Sequence, residues 1–241
     1  MTTRETTRPL AIWTTGEPVT EARRRRGSFA QMIQEVVGDA WRGPWLELDV
    51  RDPETLVEAP ASAGVILTGS AARIADQSPW MVRVQEQLRA LVEERVPIFG
   101  ICFGHQLLGM ALGGRSGPNP LGREIGTATF SLTVDDPLFG EAPRSYPVST
   151  THLDSVLELP PGAVALGSTP GERLAAIRFG ERAWGVQFHP EFDAEVVGDY
   201  VRSRLETLRR EGFDPEGLLA ARRETPESAD LLRRFAWHVR Q

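Results

Sequence analysis

Three short apolar runs do most to restrict what this chain can become: "PLAIWTTG" (9–16), "AGVILTGS" (63–70) and "PIFGIC" (97–102). Each has apolar residues at consecutive positions and ends in a turn. Such runs predict strands buried on both faces, which need helices above and below. The helices are legible between them. Residues 28–38 place Phe29, Met32, Ile33, Val36 and Val37 on one helical face. Ser28 with Gln31 resembles a capping box, and Gly38 suits the helix end. Residues 78–96 carry a stripe of Met81, Val84, Leu88, Leu91 and Val92, with Pro79 in the first turn. "HQLLGMALGG" (105–114) reads as a third helix, and "WLELDV" (45–50) as a further strand. The order strand, helix, strand, strand, helix, strand, helix predicts a mostly parallel sheet with helices on both faces.

From about 125 to 189 the pattern changes. "IGTATFSLTV", "SVLELP", "AVALGS", "LAAIRFG" and "AWGVQFHP" read as short strands between Gly and Pro turns, an antiparallel extension of the sheet. Val197, Val201, Leu205 and Leu208 then predict a helix, and the tail two short helices broken at Thr225-Pro226. With no internal repeat or linker, one domain over 1–241 is expected, with a helical C-terminal tail from about 196. The polar residues 1–8 are expected to fray.

Composition excludes several classes of function. The chain has 27 Lys and Arg against 33 Asp and Glu, a net charge of −6, which disfavours nucleic acid as a partner. A single cysteine allows no intramolecular disulfide and no cysteine metal cluster. A reducing, cytoplasmic setting is therefore expected. No apolar stretch follows a basic start, so no secretory signal is expected. No window of about 18 apolar residues exists, so no membrane partner is expected either. The run "EARRRRG" (21–27) is the oddest local feature, because four adjacent arginines repel one another. It reads either as a solvated loop or as a docking site for an acidic partner or anionic group.

The single thiol, Cys102, falls in the turn between the strand "VPIFGI" and the helix "HQLLGMAL". One reading is a small apolar core filler. The other is a nucleophile. Gly100-x-Cys102-x-Gly104 is the thiol counterpart of a serine nucleophile elbow, where small neighbours permit a sharp backbone and the following helix favours negative charge. Cysteine catalysis also needs a base and a group to orient it. Of the four histidines, at 105, 152, 189 and 238, His189 ends an apolar strand and has Glu191 two residues on. Strand ends on one sheet edge can bring these groups to Cys102.

Together, "GICFGHQLL" and "GVQFHPEF" closely resemble the class I glutamine amidotransferase family, in its stand-alone, GMP-synthase-like branch. Further matching stretches are "GVILTGSAARIADQSPW", "GREIG", "THLDSV" and "LPPGAVALGST". The fold class that follows is α/β, a single flavodoxin-like domain. The resemblance implies Cys102 as nucleophile, His189 as general base and acid, and Glu191 as orienting carboxylate. It implies an oxyanion hole from the backbone amides of Gly69 and Phe103, and substrate contacts from Gln106, Glu124, His152 and Asp154. Its substrate would be glutamine or another γ-glutamyl amide, with no metal or cofactor. Three readings stay open at this point. The chain is a glutaminase feeding a separate ammonia-accepting synthetase, a self-contained γ-glutamyl hydrolase, or a non-catalytic binding protein of the same fold. Arg123, where an aromatic is common, and Thr151, where serine is usual, depart from the branch, and Arg123 bears on what the pocket mouth accepts.

Overall fold

A computed structural model describes residues 8–55, 61–140 and 142–241. The polar start expected to fray lies outside these residues, Arg8 apart. In chain order the first half runs β1 (Leu10–Thr14), α1 (Thr20–Arg26), α2 (Phe29–Val37), β2 (Trp45–Asp49), β3 (Gly64–Leu67), α3 (Pro79–Glu93), β4 (Ile98–Ile101) and α4 (Phe103–Ala111). The strands β5 (Arg115–Pro118), β6 (Glu124–Leu132), β7 (Ser145–His152), β8 (Asp154–Glu158), β9 (Val164–Thr169), β10 (Glu172–Gly180) and β11 (Ala183–Val186) follow. The helices α5 (Ala194–Arg202), α6 (Leu205–Arg210), α7 (Pro215–Ala221) and α8 (Pro226–Val239) close the chain.

Nine strands form one sheet in the order β2-β1-β3-β4-β11-β10-β9-β6-β7, and β5 pairs with β8 apart from it. The strands from β2 to β11 pair in parallel, and those from β11 to β7 pair antiparallel. The fold is thus the expected α/β class with an antiparallel extension. Every residue of β1, β3, β4 and β11 is buried, which explains their continuous apolar sequences. Leu10, Ile12, Ile66 and Phe99 face Ile33 of α2 and Leu232 and Phe235 of α8. Ala11, Trp13, Val65 and Ile98 face Met81 and Leu88 of α3 and Leu108 of α4. The period-two alternation of β1 therefore sends each side chain into one of two separate cores. Ser28 forms the expected capping box, taking the Gln31 amide at 3.2 Å while its own amide donates to Oε1 of Gln31 at 2.8 Å. Among the described residues no helix is long and apolar enough to cross a membrane.

Four features differ from the sequence reading. The arginine run is a helix, α1, where one of its two expected readings was a solvated loop. Its charges are matched within the chain: Arg23 by Glu17 at 3.2 Å, Arg24 by Glu21 at 2.6 Å, Arg25 by Asp199 at 3.0 Å, and Arg26 by Asp193 and Glu35. The helix expected across Val197 to Leu208 breaks at Ser203 and Arg204, giving α5 and α6. Two strands were not anticipated, β5 and β7. Strand β7 contains Pro147, which is tolerated because β7 is an edge strand, paired to β6 alone.

Parallel register decides where the site lies. Leu67 is level with Gly100, and Ile101 with Val186. The chain therefore leaves β3, β4 and β11 at one edge, where Gly69, Cys102 and His189 follow within a few residues. In open α/β sheets this carboxyl edge is where ligands bind.

Candidate active site

Cys102 sits between β4 and α4 with φ 50° and ψ −102°, a backbone conformation that disfavours a residue with a side chain. The surroundings hold it there. Its amide donates to Val186 O at 2.8 Å, and its carbonyl accepts the Gln106 amide at 3.1 Å. The flanking glycines are required by close approach. A Cβ on Gly100 would lie 2.7 Å from Gly104 O, and one on Gly104 would lie 2.6 Å from Leu67 Cβ. The elbow is thus pressed onto β3 with no room for side chains on either flank.

His189 reaches this elbow from the end of β11. Its amide donates to Ser149 O at 2.8 Å, and its ring stacks on Phe192 with centroids 4.1 Å apart and planes 10° apart. Nδ1 donates to Oε1 of Glu191 at 2.8 Å, and both residues are 2% exposed. Nε2 is buried without a hydrogen-bond partner among the described residues. Burial works against an imidazolium here, but the Glu191 carboxylate and the Cys102 sulfur outweigh it and push the His189 pKa up to about 10. His105 shows the contrast. It is equally enclosed, with no carboxylate beside it, and burial pushes its pKa down to about 3. A third group closes the couple: a Cβ on Gly69 would lie 2.9 Å from His189 Cε1 and 3.8 Å from Cys102 Cβ. The Gly69 and Phe103 amides have no hydrogen-bond acceptor among the described residues.

A cavity of about 200 Å³ opens beside Cys102, bordered by Ser70, Gln106, Arg123, His152 and Asp154 among others. A larger one of about 290 Å³ lies elsewhere, against Glu172 and Leu174, and contains none of the residues around the thiol. Of the four expected substrate contacts, Gln106, His152 and Asp154 reach the cavity beside Cys102. Glu124 does not. Its carboxylate accepts from Thr169 Oγ1 at 2.7 Å, Gly171 N at 2.8 Å and His152 Nε2 at 3.2 Å, so it braces the wall from behind. Asp154 is also occupied: Arg73 grips both its oxygens, at 3.0 and 2.9 Å, and Ile74 N donates at 3.2 Å. Gln106 donates to Asp154 O at 2.7 Å and to Oε1 of Gln187 at 3.0 Å. Gln187 in turn donates to the Cys102 sulfur at 3.4 Å. This residue escaped the sequence reading. The available signal was a polar side chain inside the apolar run "GVQFHP", two places before His189 and so on the same side of an extended chain.

A thiol at a strand–helix elbow, beside a buried His–Glu couple and two free amides, is the arrangement used by enzymes that transfer acyl groups through cysteine. Residues 46–204 match the family model described as glutamine amidotransferase class-I, and the chain belongs to that cysteine-dependent family. It is similar to a glutamine-hydrolyzing GMP synthase of Aeropyrum pernix, 36% identical over 175 residues, covering 64% of this chain and 33% of the relative. It is also similar to gamma-glutamyl peptidase 5 of Arabidopsis thaliana, 28% identical over 143 residues and covering 57% of each. A crystal structure of a glutamine amidotransferase from Thermotoga maritima shares the fold, with a TM-score of 0.75 at 22% identity, covering 96% of this chain and 98% of that one. The chain spans about a third of the GMP synthase and 57% of the peptidase.

Proposed function

We propose that the chain is a glutamine amidotransferase-type hydrolase that releases ammonia from the side-chain amide of glutamine. The observation that carries this reading is the His189–Glu191 couple, held at the edge where the Cys102 elbow opens into the cavity. The Cys102 thiolate attacks the amide carbon, and the oxyanion that forms is taken by the Gly69 and Phe103 amides. His189 gives its Nε2 proton to the departing nitrogen. The C–N bond breaks, ammonia leaves, and a γ-glutamyl thioester remains on sulfur. Water then loses a proton to Nε2 and attacks the thioester. The C–S bond breaks, glutamate leaves and the thiolate is restored. The sum is glutamine plus water giving glutamate plus ammonia. Gln187 steadies the sulfur, while Asp154 and Glu124 hold the walls. The similarity to GMP synthases supports delivery of that ammonia to a separate acceptor enzyme, and the single reduced thiol supports a cytoplasmic setting.

A second reading, a self-contained γ-glutamyl peptidase, is favoured by the similarity to gamma-glutamyl peptidases 5 and 3 of Arabidopsis thaliana. Steady-state hydrolysis of glutamine and of a γ-glutamyl dipeptide by the purified chain separates the two. Fast, partner-independent turnover of the dipeptide supports the peptidase and overturns the ammonia donor. Glutamine hydrolysis that rises when an acceptor enzyme is added does the reverse.

A further inference from the structure

Three arginines border the cavity beside Cys102, and two are neutralised inside the protein. Arg73 grips Asp154, and Arg123 is held by Glu211 at 2.7 and 3.1 Å. The third, Arg204, forms no ion pair among the described residues. It stands in the break between α5 and α6, with its guanidinium 5.0 Å from the centre of the Tyr200 ring. Only Nη1 is engaged, donating to Tyr200 O at 3.3 Å and Ser203 Oγ at 3.1 Å. Nε and Nη2, the edge that grips a carboxylate side-on, donate to nothing among the described residues. Burial disfavours its charge, and the ionisable groups that act on it are Tyr200, Arg123 and Cys102, with no carboxylate among them. The Cys102 sulfur acts on it from a distance, but no carboxylate among the described residues occupies its Nε and Nη2, which leaves that edge of a half-buried guanidinium open to an anion from outside.

The position of Arg204 says what that anion belongs to. Two hollows meet at Cys102. The larger contains Gln106 and His152, and the smaller, of about 50 Å³, contains His189 and Tyr200. Because His189 must protonate the leaving amine, that amine faces the smaller hollow and the glutamyl chain fills the larger. Arg204 borders both. Resting on the acyl-transfer reading above, we propose that Arg204 binds a carboxylate of the donor substrate through Nε and Nη2. It thereby selects γ-glutamyl donors that carry a free carboxylate close to the scissile amide. That carboxylate is either the α-carboxylate of the glutamyl half or the terminal carboxylate of an amino acid on the leaving side.

The test is the rate on two matched pairs of donors: glutamine against its α-carboxamide, and γ-glutamylglycine against γ-glutamylglycinamide. The full chain is compared as wild type, Arg204→Met, Arg204→Gln and Arg204→Lys. In wild type, kcat/KM favours the carboxylate member of one pair by about tenfold or more, the strength of a charge-assisted bidentate contact. In the Met and Gln variants that preference shrinks to within about threefold, and Lys restores part of it. The pair that collapses identifies the carboxylate. A preference ratio does not depend on how much of a variant is folded, so a merely structural role at the end of α5 would leave it unchanged. A ratio equal in wild type and variants overturns the assignment. Wild type that turns over none of the four donors overturns the acyl-transfer reading itself.

Discussion

Replacing Glu191 by glutamine keeps the size of the side chain and removes one charge. The carboxylate lies 2.8 Å from Nδ1 of His189, and both residues are 2% exposed, so solvent screens little of their interaction. Opposite unit charges about 4 Å apart interact by about 4 kcal/mol at an effective dielectric of about 20. A glutamine carbonyl can still accept the Nδ1 proton, which recovers part of this. With about 1.4 kcal/mol per factor of ten, kcat should fall by about 10²–10³. Glu191 is not among the walls of the cavity of about 200 Å³ beside Cys102, so KM should change by less than about threefold. The assay is ammonia release from glutamine under initial-rate conditions. Retained folding is checked by stacking of the His189 and Phe192 rings, read from their NMR shifts. A kcat within about threefold of wild type would refute the orienting role, since among the described residues no other acid hydrogen-bonds the His189 ring. Asp193, the next candidate in sequence, caps α5 through Val196 N at 2.8 Å and pairs with Arg26.

Two further outcomes follow from the same geometry. Because His189 is held above its ordinary value of 6.5, the stability it contributes is complete below that pH and is lost as pH rises through about 10. Denaturant midpoints should therefore fall across this alkaline window in wild type and less so in Cys102→Ala, where an NMR titration should also show the His189 pKa lowered; identical titrations would contradict the coupling. Gly104→Ala places a Cβ 2.6 Å from Leu67 Cβ and should destabilise the fold by about 1–3 kcal/mol in urea unfolding, and a variant as stable as wild type would contradict the tight elbow.

How much of this was legible in the sequence depended on distance along the chain. The buried strands, the capping box at Ser28 and the elbow glycines are local signals, and each stands where expected. The arginine run is matched partly by local acids, Glu17, Glu21 and Glu35, and partly by Asp193 and Asp199, which lie more than a hundred residues away and could not be paired with it from the sequence. Strand β7 was hidden by Pro147 and by polar residues, and it exists because β6 pairs along its whole length. Gln187 carried a weak local signal. Arg204 carried none, since its meaning lies in which of three cavity arginines lacks a carboxylate. Glu124 and Asp154 were expected as substrate contacts, but their oxygens are engaged by the protein and Glu124 stands behind the cavity wall, which only contacts could reveal.

The central claim is that Cys102 attacks a γ-glutamyl carbonyl. Its most direct test is labelling with a diazo-ketone analogue of glutamine, followed by intact mass and peptide mapping of wild type and Cys102→Ser. The account predicts one adduct on wild type, located at Cys102, protection by excess glutamine, and no adduct on the serine variant. An adduct that persists in Cys102→Ser, or labelling of wild type that glutamine does not slow, would contradict it.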